Sequence, residues 1–304
     1  MSVFDVQGHR GARGLRPENS LSAFAEAFRL GVTSVELDVH LTKDDQLIVT
    51  HDNWVSPKLC RNPDGSRIRS FLGFGPFVRG TNLLDLQKLD CGSTSNQQTF
   101  PTPPRVNVPG SKMPTLQQVF DLAAATGHSR VRFSVEVKTI PVLESRDYIE
   151  KIVEAVVRTV RVNNLASRAT IQCFDWRALA HSKSIAPEIR TAALLIGLQL
   201  KFCTGCTLNG ISPTETTSLN LLRPARHYVD VYSPSWEMID PDSNEYLGNT
   251  VQEIQQAGFP VIPWTPNSHE DLERVVDLGV DGVITDYPDR LIEILRTRGI
   301  TVAR

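Results

Sequence analysis

Apolar positions along this chain switch repeatedly between two periods. Short runs alternate apolar and polar residues. Longer stretches that follow repeat an apolar residue every three or four positions. That is the pattern of a strand followed by a helix. Val3 to Gly8 reads as a first strand. In Asn19 to Leu30, Leu21, Ala23, Phe24, Ala27 and Phe28 mark one helix face, with Asn19 and Ser20 as capping candidates and Gly31 as the stop. Thr33 to His40 is a second strand, and Leu47 to Thr50 a short extra one. After a long irregular stretch, the alternation resumes with helices at Thr115 to Thr126, Asp147 to Val162 and Trp176 to Ile185. Strands at Val131 to Val137, Ala169 to Phe174 and Thr191 to Ile196 interleave with them. The closing part reads as strands Val229 to Ser233, Pro260 to Thr265 and Gly282 to Thr285, with helices Glu245 to Gln256, His269 to Leu278 and Arg290 to Arg298.

Between about Asn53 and Met113 this regularity stops. Gly, Pro, Ser, Asn and Thr dominate there, with one weak helical stretch near Leu83 to Leu89. A structureless loop of that length inside a compact domain is usually functional. It reads as a small insertion between the second strand and the second helix. Excluding it, about 240 residues hold eight strand–helix units, provided that one helix lies between Leu198 and Ala225. The expected fold is therefore α/β, a (β/α)₈ TIM barrel over residues 1–304 as a single domain, with an insertion at about 53–113. A doubly wound open sheet is the alternative.

Composition narrows the partners. The chain has 304 residues with a formal net charge of -2, and no basic excess points to nucleic acid. No apolar run approaches the ~20 residues of a membrane span. The first residues carry no basic stretch followed by an apolar one, so no signal peptide is visible. The five cysteines are Cys60, Cys91, Cys173, Cys203 and Cys206, a low usage that suits a reducing cytoplasm. Cys203 and Cys206 lack a second Cys-x-x-Cys and read as unpaired loop thiols.

Chemistry enters through the strands. In Val35 to His40, the apolar Val35, Leu37 and Val39 share one face, and Glu36, Asp38 and His40 share the other. The next full strand repeats this, with Arg132, Ser134, Glu136 and Lys138 opposite Val131, Phe133, Val135 and Val137. Carboxylates on an enclosed face are costly unless paired or metal-bound. Two answers stand. Glu36, Asp38 and Glu136 could hold a hard divalent cation, for which an all-oxygen set suits Mg²⁺, Ca²⁺ or Mn²⁺ better than zinc. They could instead form internal ion pairs with Arg10, Arg132 or Lys138. His9 and His51 end early strands on either side of the acidic strand, where one could act as base and the other as acid. His40, His128, His181, His227 and His269 lack such settings and read as structural or solvent-exposed. The first strand carries no His-x-His pair, which disfavours a metal amidohydrolase.

Gly8-His9-Arg10-Gly11, Pro17-Glu18-Asn19-Ser20, Glu36-Leu37-Asp38-Val39 and His51-Asp52 together resemble the signature of the glycerophosphodiester phosphodiesterase family. Glu136-Val137-Lys138, Gln172-Cys173-Phe174-Asp175, Trp264-Thr265-Pro266-Asn267 and Asp281 to Pro288 resemble its later motifs, in order, so the likeness spans residues 8–288. Cys173 and Pro266 depart from the residues usual at their positions, serine and an aliphatic one. The resemblance implies a TIM barrel, and metal-dependent hydrolysis of glycerophosphodiesters to glycerol 3-phosphate and an alcohol. It implies Glu36, Asp38 and Glu136 as ligands of one divalent cation, Ca²⁺ or Mg²⁺ with Mn²⁺ also suited. His9 and His51 match the catalytic histidines, with His9 taken as base. Arg10 and Lys138 match phosphate-contacting positions, although they could simply neutralise the acidic strands. Trp264 matches a pocket-lining aromatic, although it could be core.

The implied partner is a small-molecule glycerophosphodiester, in a cytoplasmic enzyme for which a homodimer is left open. Two other readings compete. One is a phospholipase-D-like enzyme acting on lysophospholipids, with Trp54, Phe71, Leu72, Phe74 and Phe77 as an apolar rim; the preferred account of those residues is the insertion's own small core. The other is a non-catalytic phosphate-binding barrel, disfavoured because both histidines and all three acidic residues are present.

Overall fold

A computed structural model describes residues 3–94, 105–140, 143–197, 200 and 216–302. The chain divides into two compact units, one built from Gly8–Lys138 with Asp286–Pro288, the other from Thr139–Thr285 with Met1–Gln7 and Asp289–Ala303. Strand β1 (Asp5–Gly8) leads from the second unit into the first.

In the first unit, helix α1 (Leu21–Leu30) starts where the Ser20 hydroxyl accepts the Ala23 N–H. It stops at Gly31, whose φ of 81° only glycine adopts freely. Strand β2 (Ser34–Leu41) is buried along its whole length. It pairs antiparallel with β3 (Leu47–Val49) and parallel with β4 (Arg132–Val137). The parallel register sets Asp38 opposite Glu136 and Glu36 opposite Ser134. Val35, Leu37 and Val39 are fully buried on the other face, so the alternation of period two is realised. Helix α2 (Leu83–Leu86) is the short remnant of the weak helical stretch. Helix α3 (Leu116–Ala125) opens with a capping box between Thr115 and Gln118.

The insertion folds around a core of its own, made by Val55, Cys60, Ile68, Val78, Leu86 and Met113 together with Ile48 of β3. This corrects the expectation that its aromatic residues supply that core. Phe71, Leu72, Phe74 and Phe77 are exposed instead. Valine, isoleucine, leucine, cysteine and methionine side chains fill that interior. A disulfide joins Cys60 to Cys91, 31 positions apart, which spacing alone did not indicate. Disulfides persist mainly in oxidising surroundings, so the fit to a reducing cytoplasm drawn from cysteine usage does not extend to this pair.

In the second unit, β5 (Ala169–Cys173), β6 (Arg190–Leu195) and β7 (Val231–Pro234) form a parallel series. Helices α4 (Arg146–Val162) and α5 (Trp176–Ile185) follow their strands, capped by the side chains of Ser145 and Asp175. Helices α6 (Ser218–Ala225), α7 (Val251–Gln256), α8 (His269–Asp277) and α9 (Pro288–Thr297) complete the alternation, with β8 (Gly282–Thr285) before the last. The expected strand Pro260 to Thr265 forms only isolated bridges, Val261 to Tyr232 and Trp264 to Ser235 and Ile284. Pro260 and Pro263 lack the N–H groups that a continuous ladder needs. The expected helix from Glu245 begins only at Val251, because Thr250 caps it after Gly248 turns the chain at φ 75°. Cys203 and Cys206 lie outside the described residues.

Candidate active site

The turn after β1 builds one side of the site. Gly8 and Gly11 are required by crowding: a Cβ on Gly8 would lie 1.9 Å from the Gly11 carbonyl oxygen, and one on Gly11 2.7 Å from the Ala23 carbonyl carbon of α1. Between them Arg10 takes a left-handed φ of 49°. Its backbone N–H then donates to Glu36 Oε2 at 2.9 Å, and the Gly11 N–H donates to the Glu36 carbonyl at 3.1 Å. The tight turn therefore clamps His9 and Arg10 onto the acidic strand.

Strands β2 and β4 supply the floor. Glu36, Asp38 and Glu136 are buried, and one oxygen of each lies within 4.8 Å of the others. Asn19 donates to Asp38 Oδ2 at 2.8 Å. Arg10 Nε stands 3.4 Å from the same oxygen, and Arg10 Nη1 donates to Glu18 at 2.7 Å. Lys138 Nζ lies 2.7 Å from Glu136 Oε1 and 3.4 Å from Asp38 Oδ1. Both cations are thus tied to carboxylates. Burial, with Asp38 and Glu136 close by, pushes Glu36 well above the ordinary carboxylate range. Burial likewise raises Glu136, despite Lys138. At Asp38 burial acts upward too, but Lys138, His51 and Arg10 outweigh it and hold the group well below its usual value. Three enclosed carboxylates of which two are forced upward form a set that takes a proton or a cation. Asp38 Oδ1 is buried and accepts no hydrogen bond. All-oxygen donors at this spacing fit a hard divalent cation.

The two histidines are oriented from behind. His9 Nδ1 lies 2.6 Å from Asp286 Oδ1, and Arg13 Nε stands 2.8 Å from the same oxygen as an ion pair. A carboxylate only accepts, so Nδ1 carries the proton and Nε2 faces inward, 3.8 Å from Glu36 Oε2. Burial lowers the His9 pKa to about 4, against the upward pull of Asp286. Asp286 itself is held at about 2, because His9 and Arg13 outweigh its burial. His51 follows β3, where the Thr50 N–H donates to the Asp38 carbonyl at 3.0 Å. Its Nδ1 is 2.9 Å from Asp52 Oδ1, and its backbone carbonyl accepts from His40 Nε2 at 3.1 Å. Beside it lies a small cavity of about 30 Å³, lined among others by Glu18, Asn19, Cys60, Cys91 and Arg105.

His9, Arg10, Glu36, Asp38, His51, Glu136 and Lys138 therefore gather in one unit. Trp264 belongs to the other. It is half-buried, donates Nε1–H to the Ser233 carbonyl at 3.0 Å, meets Phe174 edge-on at 5.5 Å, and packs on Ala192, Val231, Ile262 and Ile284. Its ring is therefore in part core.

A family model described as the glycerophosphoryl diester phosphodiesterase family matches residues 9–290. The chain belongs to this family. A glycerophosphodiester phosphodiesterase from Caldanaerobacter subterraneus subsp. tengcongensis is 30% identical over 97% of this chain and 98% of its own. A crystal structure of a Silicibacter pomeroyi DSS-3 protein ascribed to the same activity is 28% identical, with a TM-score of 0.84 over 99% of this chain and 96% of the other. An Oleispira antarctica phosphodiesterase, solved with the product sn-glycerol-3-phosphate, shares the fold at 20% identity and a TM-score of 0.70, covering 97% of each chain.

As a glycerophosphoryl diester phosphodiesterase family member, the chain is an α/β protein of the TIM-barrel class and an enzyme hydrolysing glycerophosphodiesters. The family is metal-dependent, and the buried acidic triad is the place among the described residues where three carboxylates could serve a metal. No helix among those residues is long and apolar enough to cross a membrane.

The sequence alone gives no site role to Asp286, Glu18, Asn19 or His40; Asn19 reads there as a capping candidate, whereas Ser20 caps α1 and Asn19 binds Asp38. The first three sit inside motifs that carried the family likeness, which was the available signal. His40 reads as structural or solvent-exposed from the sequence, and its contact with the His51 carbonyl makes it a support for that histidine. The two departures also have structural work. Cys173 Sγ accepts the Asp175 N–H at 3.3 Å where α5 begins, and the Pro266 carbonyl accepts the Thr285 hydroxyl at 2.8 Å.

Proposed function

We propose that this chain cleaves glycerophosphodiesters to glycerol 3-phosphate and an alcohol by two-histidine acid–base catalysis beside one divalent cation. The observation that carries the reading is the joint placement of three buried carboxylates within 4.8 Å and a His9 Nε2 held 3.8 Å from one of them. Glu36, Asp38 and Glu136 would hold the cation, with Ca²⁺, Mg²⁺ and Mn²⁺ as the suited ions. When bound, it neutralises charge developing on the phosphate oxygens.

The protein's own groups do the rest. His9 stays neutral because its burial disfavours the imidazolium. Asp286 fixes its tautomer, so Nε2 accepts the proton of the glycerol 2-hydroxyl as that oxygen attacks phosphorus. A cyclic phosphate forms, and the bond to the departing alcohol breaks. His51, set by Asp52 and His40, gives its proton to that alcohol. In the second step the roles exchange: His51 takes a proton from water, the ring opens, and His9 returns its proton to the 2-hydroxyl. Arg10 and Lys138 keep further N–H donors beyond those that engage carboxylates, and these face the phosphate. Trp264 keeps the substrate-binding role that the family resemblance implies.

The test is a coupled assay on chelator-stripped protein. Glycerophosphocholine is added, and glycerol 3-phosphate is followed with and without each cation. Cation-dependent release supports the reading. Choline release from lysophosphatidylcholine, without hydrolysis of glycerophosphocholine, would replace it with the lysophospholipid one.

A further inference from the structure

The insertion sorts its apolar side chains into two sets. Val55, Cys60, Ile68 and Val78 are buried in its core. Phe71 and Leu72 are 79% and 80% exposed, and Phe77 is 63% exposed. These residues crown a hairpin. The N–H groups of Phe71 and Phe74 each donate to the other residue's carbonyl at 2.9 Å. The two residues between, Leu72 and Gly73, both have positive φ, 50° and 86°. Turns of that kind favour Asn-Gly. A leucine there is strained, and its side chain gains nothing from the core, so the position displays a large apolar group where local conformation favours a small polar one.

The hairpin's root is fixed. The Val55 N–H donates to the Pro76 carbonyl at 2.8 Å, and the Val78 N–H to the Asn53 carbonyl at 2.9 Å. Trp54 meets Phe74 edge-on at 4.5 Å. Trp54 lies three residues after His51, so the root adjoins the catalytic end of β3.

Charge decides what this tip meets. From Trp54 to Gly80 there are five cations, Lys58, Arg61, Arg67, Arg69 and Arg79, against the single carboxylate of Asp64, in a chain whose net charge is -2. Lys58, Arg67, Arg69 and Arg79 are exposed. An exposed apolar tip flanked in sequence by exposed cations matches the boundary between acyl chains and anionic headgroups. Guanidinium groups pair well with phosphate oxygens.

We propose that the Phe71–Phe77 hairpin is an interfacial anchor for an anionic lipid bilayer. Phe71 and Leu72 enter the headgroup boundary, and Arg67, Arg69 and Arg79 engage lipid phosphates. The anchor presents the His51 edge of the site to a lipid surface. Its occupancy is measured by binding alone and does not depend on the catalytic assignments.

The test is co-sedimentation of the whole chain with phosphatidylcholine–phosphatidylglycerol vesicles and with pure phosphatidylcholine vesicles. The expected result is binding to the mixed vesicles that weakens as salt rises. Pure phosphatidylcholine should bind about ten-fold more weakly or less. Phe71→Ser with Leu72→Ser should lower partition about ten-fold or more. Arg67→Gln with Arg69→Gln should lower it about five-fold per arginine. Both variants should hydrolyse soluble glycerophosphocholine at the parent rate, which also shows that they fold. Failure of the parent protein to sediment with either vesicle would overturn the proposal. So would a serine variant that binds like the parent. A concentration-dependent dimer lost in the serine variant, without vesicle binding, would reassign the patch to self-association and equally overturn it.

Discussion

The chemistry rests on how single side chains are held. His9 would be an ordinary imidazole on a loop. Burial, the Asp286 carboxylate at 2.6 Å and the inward-facing Nε2 make it a preset neutral base. Its pKa of about 4 means that the acid limb of kcat/KM should fall near that value rather than at the usual histidine value of 6.5. Asp286→Asn removes an interaction that raises the His9 pKa. The limb should therefore move to lower pH while kcat/KM drops about 10²-fold as tautomer control is lost. A pH–rate profile checks both, and a limb moving upward would contradict the account. His51→Ala should lower kcat by about 10²–10⁴-fold with cation binding retained, measured by steady-state kinetics beside calorimetry. His9, His51 and the acidic residues were legible because strand ends and period-two alternation place them. Asp286 was not placed by that alternation, since it stands 277 positions from its partner and only folding brings them together.

At the scale of elements, helices and strands followed the hydrophobic period closely, because that period reports which face is buried. It failed where the backbone, not the side chains, decides. Pro260 and Pro263 interrupt the ladder of an apolar segment that reads as a strand. The insertion has no period at all, so nothing in its sequence tells Ile68, which is buried, from Phe71, which is exposed. Nor could cysteine spacing reveal that Cys60 pairs with Cys91. That bridge closes a loop of 31 positions over the cavity beside His51. Chain-entropy reasoning gives such a closure about 3–4 kcal/mol. Cys60→Ser should therefore lower the urea midpoint of the insertion, read by Trp54 fluorescence, and reductant should reproduce the effect in the parent protein. An unchanged midpoint under reductant would show that the bridge does not hold this segment.

Over the whole molecule, the family match across residues 9–290 takes in motifs of both units. Its most concentrated feature is negative. Glu36 and Glu136 are raised by burial and by their acidic neighbours, so protons compete with a cation for the same oxygens. Cation affinity should fall as pH falls through those raised values. Binding to the folded state alone stabilises it, by about 2.7 kcal/mol at a hundred times Kd. Added Ca²⁺ or Mn²⁺ should therefore raise Tm at neutral pH and do so less in acid. A shift that grows in acid would contradict competition at these carboxylates. The most direct measurement is a cation titration of the parent protein and of Asp38→Asn, following bound metal and glycerol 3-phosphate release in the same samples. The account predicts one cation per chain, release rising in step with occupancy, and loss of both in the variant. Full release from metal-free protein, or a variant that binds and hydrolyses like the parent, would contradict it.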